Sequence, residues 1–348
     1  MTTSPAYLAL ALQTTCFAVN GARDRTESRE RMRRTLERVS SQILAAKRFI
    51  GTDLRLIVLP EYFLTGFPFG EEATDWANKA AIDLNGAEYV ALGRTACDAD
   101  TYLAGNAYET DPHFPGLYFQ TSFLIEPSGR PVLRYRRLLS LFGPTPYDVW
   151  DRYLEIYGPE SLFPVANTAI GRVAAIASEE ILYPEIARAL VLRGAEVLVH
   201  SSSEVASGIV SPKNIAKQAR ALENLAYVVS ANSAGIEGIG IPAHSTDGSS
   251  KIVDFRGLVL AEAGYGESMA ACAEIDLAAL RRYRERPGMG NLLARQPIGL
   301  WRAALEVREV HRPNTLLEPN GEVRPPSREF YAGRQREIIA QLRAAGLI

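Results

Sequence analysis

A chain of 348 residues, 47% hydrophobic and 22% charged, can bury a large core and leaves little room for disorder. Its 38 basic and 40 acidic residues give a net charge of -2, which excludes a field that gathers nucleic acid or an anionic membrane; a small neutral or weakly charged ligand fits better. Three scattered cysteines, Cys16, Cys97 and Cys272, form neither a zinc pattern nor a disulfide scaffold, so a reducing cytoplasm is the expected compartment.

The N-terminus MTTSPAYLALALQTT has a short apolar run with no basic residue before it, which reads as neither a secretion signal nor a membrane span. Tyr7 to Leu12 reads as a strand. Met32, Leu36, Val39 and Ile43 then place one apolar face on a long helix. The run LRLIVLP is a buried strand that leads to Glu61. After a loop with Gly66 and Gly70 come a helix from about Asn85 to Cys97 and the strand TYLAGNAYE. GLYFQTSFLIEP and RPVLRYRR, joined at Ser128 and Gly129, have the turn chemistry of a hairpin.

GRVAAIA, a helix from Tyr183 to Arg193 and EVLVH form a strand, helix, strand unit, which favours a right-handed parallel crossover. A second unit runs from ARALENLA into YVVSAN. Ser249 to Ile275 alternates like strand, and from about Arg286 the chain is rich in proline and charge before a last helix near Arg328 to Arg343. No repeat or low-complexity tract interrupts it. The expectation is one α/β domain over residues 1–285, with two sheets faced by helices. A C-terminal arm, residues 286–348, is expected to pack on that domain or on a partner subunit.

Glu61 directly follows a strand of Leu, Ile and Val, and Ser178 directly follows VAAIA and precedes a helix that starts near Pro184. Ligands of α/β sheets bind beyond the carboxyl ends of strands, so both residues stand where chemistry is usually done. Each also has a purely structural reading. Pro60 and Glu61 can turn the chain, and Ser178 can cap its helix with Glu179 and Glu180 favouring the dipole.

Together the motifs are more specific. LPEYFLTG resembles the glutamate motif of the nitrilase superfamily of carbon-nitrogen hydrolases. YRRLLSLF resembles its lysine motif, with Arg137 on the lysine position, and ASEEILYPE resembles its nucleophile motif, with Ser178 on the cysteine position. Pro184 and Glu185 follow Ser178 by six and seven positions, as in that motif, and the order and intervals of the three stretches agree as well. The hairpin before Arg137 and the segment ARALENLAYVVSAN also match, so the resemblance runs from about Tyr7 to Tyr283.

The resemblance implies a four-layer αββα sandwich, paired into homodimers or larger homo-oligomers through the helices next to the nucleophile. It implies a small amide or nitrile as substrate and no metal or organic cofactor. In such a site a glutamate takes the thiol proton, the thiolate attacks the amide or nitrile carbon, and a lysine with a backbone N–H holds the oxyanion.

Two of those three positions are changed here. A buried glutamate near ~7 faces a thiol near ~8.5, but an alcohol lies several units higher, each unit adding ~1.4 kcal/mol to the proton transfer. Serine with a carboxylate base alone is therefore expected to be slow. Arg137 keeps a charge for an oxyanion but forks its donors differently from an ammonium.

His200 ends EVLVH, the strand after the crossover helix of Ser178, and neighbouring strands lie about 4.8 Å apart. It is a candidate substitute base, although a histidine at a strand end is more often a satisfied structural residue. The stretch FGPTPYDVWDRYLEIYGPE falls where the family covers its pocket and supplies a second glutamate, for which Glu155 is the first candidate and Asp151 the second. Its Phe142, Tyr147, Trp150, Tyr153 and Tyr157 equally fit the packing of a long loop. Gln120 falls where the family often has asparagine near the lysine.

Three functional readings remain open. One is an amidase-like hydrolase or acyl-transfer enzyme working through Glu61, Arg137 and Ser178. Another is an inactive nitrilase fold kept for binding or assembly, and the third is non-hydrolytic chemistry on a bound amide or nitrile.

Overall fold

The computed structural model describes residues 6–204, 211–305 and 311–346. The expectations for residues 1–5 and for residues 306–310 and 347–348 of the arm fall outside them. In chain order the elements begin β1 (Tyr7–Ala11), β2 (Cys16–Phe17), α1 (Arg25–Ile50), β3 (Leu54–Val58), α2 (Ala73–Ala80), α3 (Ala87–Asp98), β4 (Tyr102–Thr110), β5 (Tyr118–Ile125) and β6 (Pro131–Arg136). Next come α4 (Trp150–Tyr157), β7 (Ala166–Thr168), β8 (Gly171–Ala177), α5 (Pro184–Leu192), β9 (Val197–Ser201), α6 (Pro212–Asn224) and β10 (Tyr227–Ala231). The chain closes with β11 (Ile236–Glu237), β12 (Lys251–Val253), β13 (Val259–Glu262), β14 (Cys272–Ile275), α7 (Leu277–Glu285), α8 (Ile298–Leu305) and α9 (Arg328–Ala344).

Two six-stranded mixed sheets form, in the orders β14-β1-β3-β4-β5-β6 and β13-β12-β10-β9-β8-β7. They face each other, with β5 against β8, β4 against β9 and β3 against β10. Val58, Ala104, Leu124 and Tyr135 from one sheet meet Ala175, Ala177, Val199 and Val229 from the other in a shared apolar layer. Every residue of β5 is buried, because the facing sheet covers one side of it and helices the other.

On the outer side of the first sheet, Met32, Leu36, Val39 and Ile43 of α1 pack with Leu92 and Ala96 of α3 onto Leu10, Ile57 and Leu103. Each such side chain contributes roughly 1.5–3 kcal/mol by burial. Asp24 caps α1 by accepting the Glu27 N–H at 2.8 Å, and Gly51, at φ +113°, ends it. Ile186, Ala187 and Leu190 of α5 and Ala216 and Ala221 of α6 cover the second sheet. The result is the four-layer αββα arrangement expected from the sequence.

β8, β9 and β10 are mutually parallel through the crossovers α5 and α6, in a register that aligns Ala177 with Ser201 and Ser201 with Ala231. The chain leaves all three strands at the same edge, and β3 brings Glu61 to that edge from the facing sheet. The aromatic stretch folds as α4 with short 3-10 turns. Tyr153 is buried with Phe114, Phe119 and Val149, and Leu316 of the arm joins them. Asp148 accepts from Thr315 Oγ1 at 2.8 Å and pairs with Arg334, which seats the arm against that layer.

Candidate active site

Beyond β3, Leu59 and Pro60 carry the chain to Glu61, which is 1% exposed. The Glu61 N–H donates to Ser202 O at 3.2 Å and Ser201 Oγ donates to Leu59 O at 2.8 Å, so the ends of β3 and β9 are tied across the two sheets. The carboxylate is gripped as well. Its Oε1 accepts from Gln120 Nε2 at 2.6 Å and its Oε2 from the Ser203 N–H at 3.2 Å.

Gln120 lies on β5, opposite Tyr108 of β4, and its other amide atom faces Arg137, the first residue after β6. Gln120 Oε1 accepts from Arg137 Nη1 at 2.6 Å, so this one amide links the acid to the base. Arg137 Nη1 stands 3.6 Å from Glu61 Oε1, Nε donates to Leu139 O at 2.6 Å, and Nη2 pairs with Glu179. Burial works against this guanidinium's charge, but Glu179 and then Glu61 outweigh it and hold its pKa above the ordinary arginine value. It stays cationic.

Ser178 is the first residue after β8 and opens a 3-10 turn, Ser178–Leu182, with φ at +46°. That left-handed conformation costs a non-glycine residue about 1–3 kcal/mol and persists only where its surroundings impose it. Here His200 does so, with Nε2 2.8 Å from the Ser178 carbonyl oxygen and Nδ1 2.8 Å from Ser230 Oγ. A carbonyl only accepts, so Nε2 carries the hydrogen and Nδ1 accepts a hydrogen bond from the Ser230 hydroxyl. Burial, then Lys217, pushes the His200 pKa well below the ordinary value and keeps the ring neutral.

Both ring nitrogens are therefore occupied, and no lone pair is left for the Ser178 hydroxyl. Of the two roles the sequence left to His200, substitute base and satisfied structural residue, the geometry fits the second: the histidine holds the backbone of the turn. The hydroxyl itself accepts from Lys213 Nζ at 3.1 Å, a lysine in the first turn of α6. Glu180, fully buried, ties the turn to the Arg137 loop by accepting from the N–H groups of Ala177, Leu138 and Leu139 and from Tyr135 Oη.

Glu155 does not join this group. It lies on the exposed side of α4, while Asp151 binds Asn314 of the arm through Oδ2 at 2.8 Å. The aromatics beside them pack the loop: Arg136 lies 4.5 Å over Phe119 and 4.7 Å over Tyr157, and Tyr153 tilts against Tyr157. Cys16 is near Glu61, with Sγ 3.5 Å from its carbonyl oxygen, but burial and then the Glu61 charge push its thiol pKa far up. Cys97 is exposed and Cys272 part-buried on β14.

Sequence reading missed two contacts, Glu179 on Arg137 and Lys213 on Ser178. The first was open to inference, since Glu179 adjoins the nucleophile position. The second has no local signal, because 35 residues separate the partners. Among the described residues no cluster of three or more His, Cys, Asp or Glu is placed to hold a metal ion, and no helix is long and apolar enough to cross a membrane.

What converges at the strand ends is a hydroxyl on a strained turn, a lysine nitrogen on that hydroxyl, a buried carboxylate and a buried guanidinium. The chain is similar to a formamidase of Pseudomonas syringae pv. syringae (strain B728a), 26% identical over 266 residues, covering 76% of this chain and 72% of that protein. It is 25% identical over 232 residues to the omega-amidase NIT2-B of Xenopus laevis, covering 67% of this chain and 80% of that one.

The crystal structure of a carbon-nitrogen hydrolase from Helicobacter pylori G27 superposes with a TM-score of 0.65 at 19% identity, over 87% of this chain and 99% of that one, and so shares the fold. The family model for carbon-nitrogen hydrolase matches residues 17–285, a span that holds Glu61, Gln120, Arg137, Ser178, His200 and Lys213. The chain belongs to the carbon-nitrogen hydrolase family.

Proposed function

We propose that this protein is an amidase-type hydrolase or acyl-transfer enzyme for small amides, in which Ser178 takes the place of the family's cysteine and carries the acyl group. The observation that carries this reading is the state of Ser178: its backbone is held at φ +46° by His200 while its Oγ is contacted by the side-chain nitrogen of Lys213. A turn that aims a side chain off a strand end at the cost of backbone strain is the geometry of an attacking group. The relatives named formamidase and omega-amidase support a small amide as substrate.

In the reaction, Ser178 Oγ forms a bond to the amide carbon and the C–N bond breaks, releasing ammonia or an amine. Water, or another acceptor, then cleaves the ester. Arg137 supplies positive charge beside the developing oxyanion, and Glu61, fixed by Gln120 and the Ser203 N–H, is the carboxylate that orients the attacking water.

Homo-oligomerisation through α5, α6 and the turn before them belongs to the same reading. Leu182, Tyr183, Leu192, Ile215 and Leu222 are 40–58% exposed there, an apolar face suited to a second copy.

A second reading, a fold retained for binding, has its own support: the Arg137 guanidinium is already engaged by Leu139, Gln120 and Glu179. The two are separated by ammonia release from a panel of short aliphatic and aromatic amides. The enzyme reading expects turnover that falls at least about 100-fold in Ser178→Ala and in Glu61→Gln. Amide binding by calorimetry without turnover in any protein supports the binding reading instead.

A further inference from the structure

A serine nucleophile needs a group to take its proton, and neither of the two obvious groups is hydrogen-bonded to its hydroxyl among the described residues. Glu61 accepts from Gln120 on one oxygen and from the Ser203 N–H on the other. His200 spends one nitrogen on the Ser178 carbonyl and the other on Ser230. Among the described residues, Lys213 is the one hydrogen-bond partner of Ser178 Oγ, at 3.1 Å.

The fold holds that lysine in place. Pro212 opens α6, and Ser211 caps it by accepting the Asn214 N–H at 3.1 Å, so Lys213 sits on a well-anchored first turn above the Ser178 turn. Arg220, two turns along, donates to Ile181 O at 2.9 Å and clamps the helix to the same turn. Lys217, one turn beyond Lys213, is fully buried, 3.8 Å from Glu204, and its pKa is pulled down to about 7, chiefly by burial. Lys251 and Lys213 add to that pull, while Glu204 and Glu262 oppose it.

We propose that Lys213 is the general base of Ser178, making a serine–lysine pair on the carbon-nitrogen hydrolase fold. The inference rests on the reading of Ser178 as nucleophile. The neutral Lys213 amine takes the Ser178 hydroxyl proton as Oγ bonds to the amide carbon. The resulting ammonium returns that proton to the departing nitrogen as the C–N bond breaks, leaving a Ser178 ester. The freed amine then takes a proton from the water that attacks the ester, and the ammonium returns it to Ser178 Oγ as the ester C–O bond breaks, so the carboxylic acid departs with Ser178 and the Lys213 amine restored. Lys213 thereby does what a carboxylate alone does poorly for an alcohol.

The test uses the intact protein and p-nitrophenyl acetate, whose leaving group needs no proton. Nitrophenolate release is followed by stopped flow, and the ester is located by peptide mass mapping. Lys213→Ala and Lys213→Arg are both expected to slow acylation of Ser178 by about 10²–10⁴-fold, because arginine keeps the charge but remains protonated. Methylamine is expected to restore part of the rate in Lys213→Ala. Lys213→Arg preserves length and charge, so it keeps the test decisive if the alanine variant misfolds.

Acylation as fast in Lys213→Arg as in the unaltered protein overturns the base assignment while leaving Ser178 as nucleophile. No ester on Ser178 in the unaltered protein overturns both.

Discussion

His200 donates from Nε2 to the main-chain carbonyl of Ser178 at 2.8 Å, so the imidazole fixes the backbone of the turn and leaves the hydroxyl to Lys213. The neutral state of His200 has a measurable consequence. Burial, then Lys217, lowers its folded pKa, so below about pH 6.5 the unfolded chain binds a proton that the folded chain refuses. Its contribution to stability is complete above that pH and falls by about 1.4 kcal/mol per unit below it.

Urea denaturation at pH 7.5 and 5.5 is therefore expected to show about 1.4 kcal/mol more loss in the unaltered protein than in His200→Gln, which has no such proton to refuse. Equal losses in the two proteins contradict the assignment of a buried neutral imidazole.

Arg137 is expected to be poorly replaced by lysine. Its three nitrogens serve Leu139, Gln120 and Glu179 at once, and a single ammonium cannot reach all three directions. Arg137→Lys should destabilise the fold by about 1–3 kcal/mol, read as a lower urea midpoint. Glu179→Gln should cost less, since Glu179 is 36% exposed and water replaces part of its pairing. A midpoint unchanged by Arg137→Lys would show that the fork geometry carries no weight.

The apolar face of α5 and α6 predicts association. Light scattering is expected to give a mass at least twice 38.1 kDa, and Ile215→Glu with Leu222→Glu should lower it to that of one chain without unfolding. A monomer in the unaltered protein at micromolar concentration contradicts the face as an oligomer contact.

Much of this molecule was readable before its structure, for reasons of periodicity. α1 announces itself by Met32, Leu36, Val39 and Ile43, all buried on one face, and the β5–β6 hairpin by its turn at Ser128 and Gly129. Glu61, Arg137 and Ser178 were singled out because their motifs resemble those of the nitrilase superfamily, and the positions of Glu61 and Ser178 beyond strands supported the choice. Gln120 also reached the site, through its place on β5 opposite Tyr108.

What the sequence did not show depends on tertiary placement. Lys213 meets Ser178 only because α6 crosses over the Ser178 turn, and nothing in SPKNIAKQ marks which lysine points there. His200 was placed beside Ser178 with two roles open, and its main-chain acceptor, which decides for the structural one, has no sequence signature. The aromatics from Tyr147 to Tyr157 read equally as pocket cover or loop packing. The arm decided between them by bringing Leu316 to Tyr153 and Arg334 to Asp148.

The central claim is that Ser178 becomes acylated during amide cleavage. The most direct measurement is peptide mass mapping after acid quench of the protein turning over a short amide, with Ser178→Ala run beside it. An acyl ester is expected on the peptide that carries Ser178, with neither ester nor ammonia release in Ser178→Ala. Ammonia release that persists in Ser178→Ala, or turnover in the unaltered protein with the acyl group found on another residue, would contradict it.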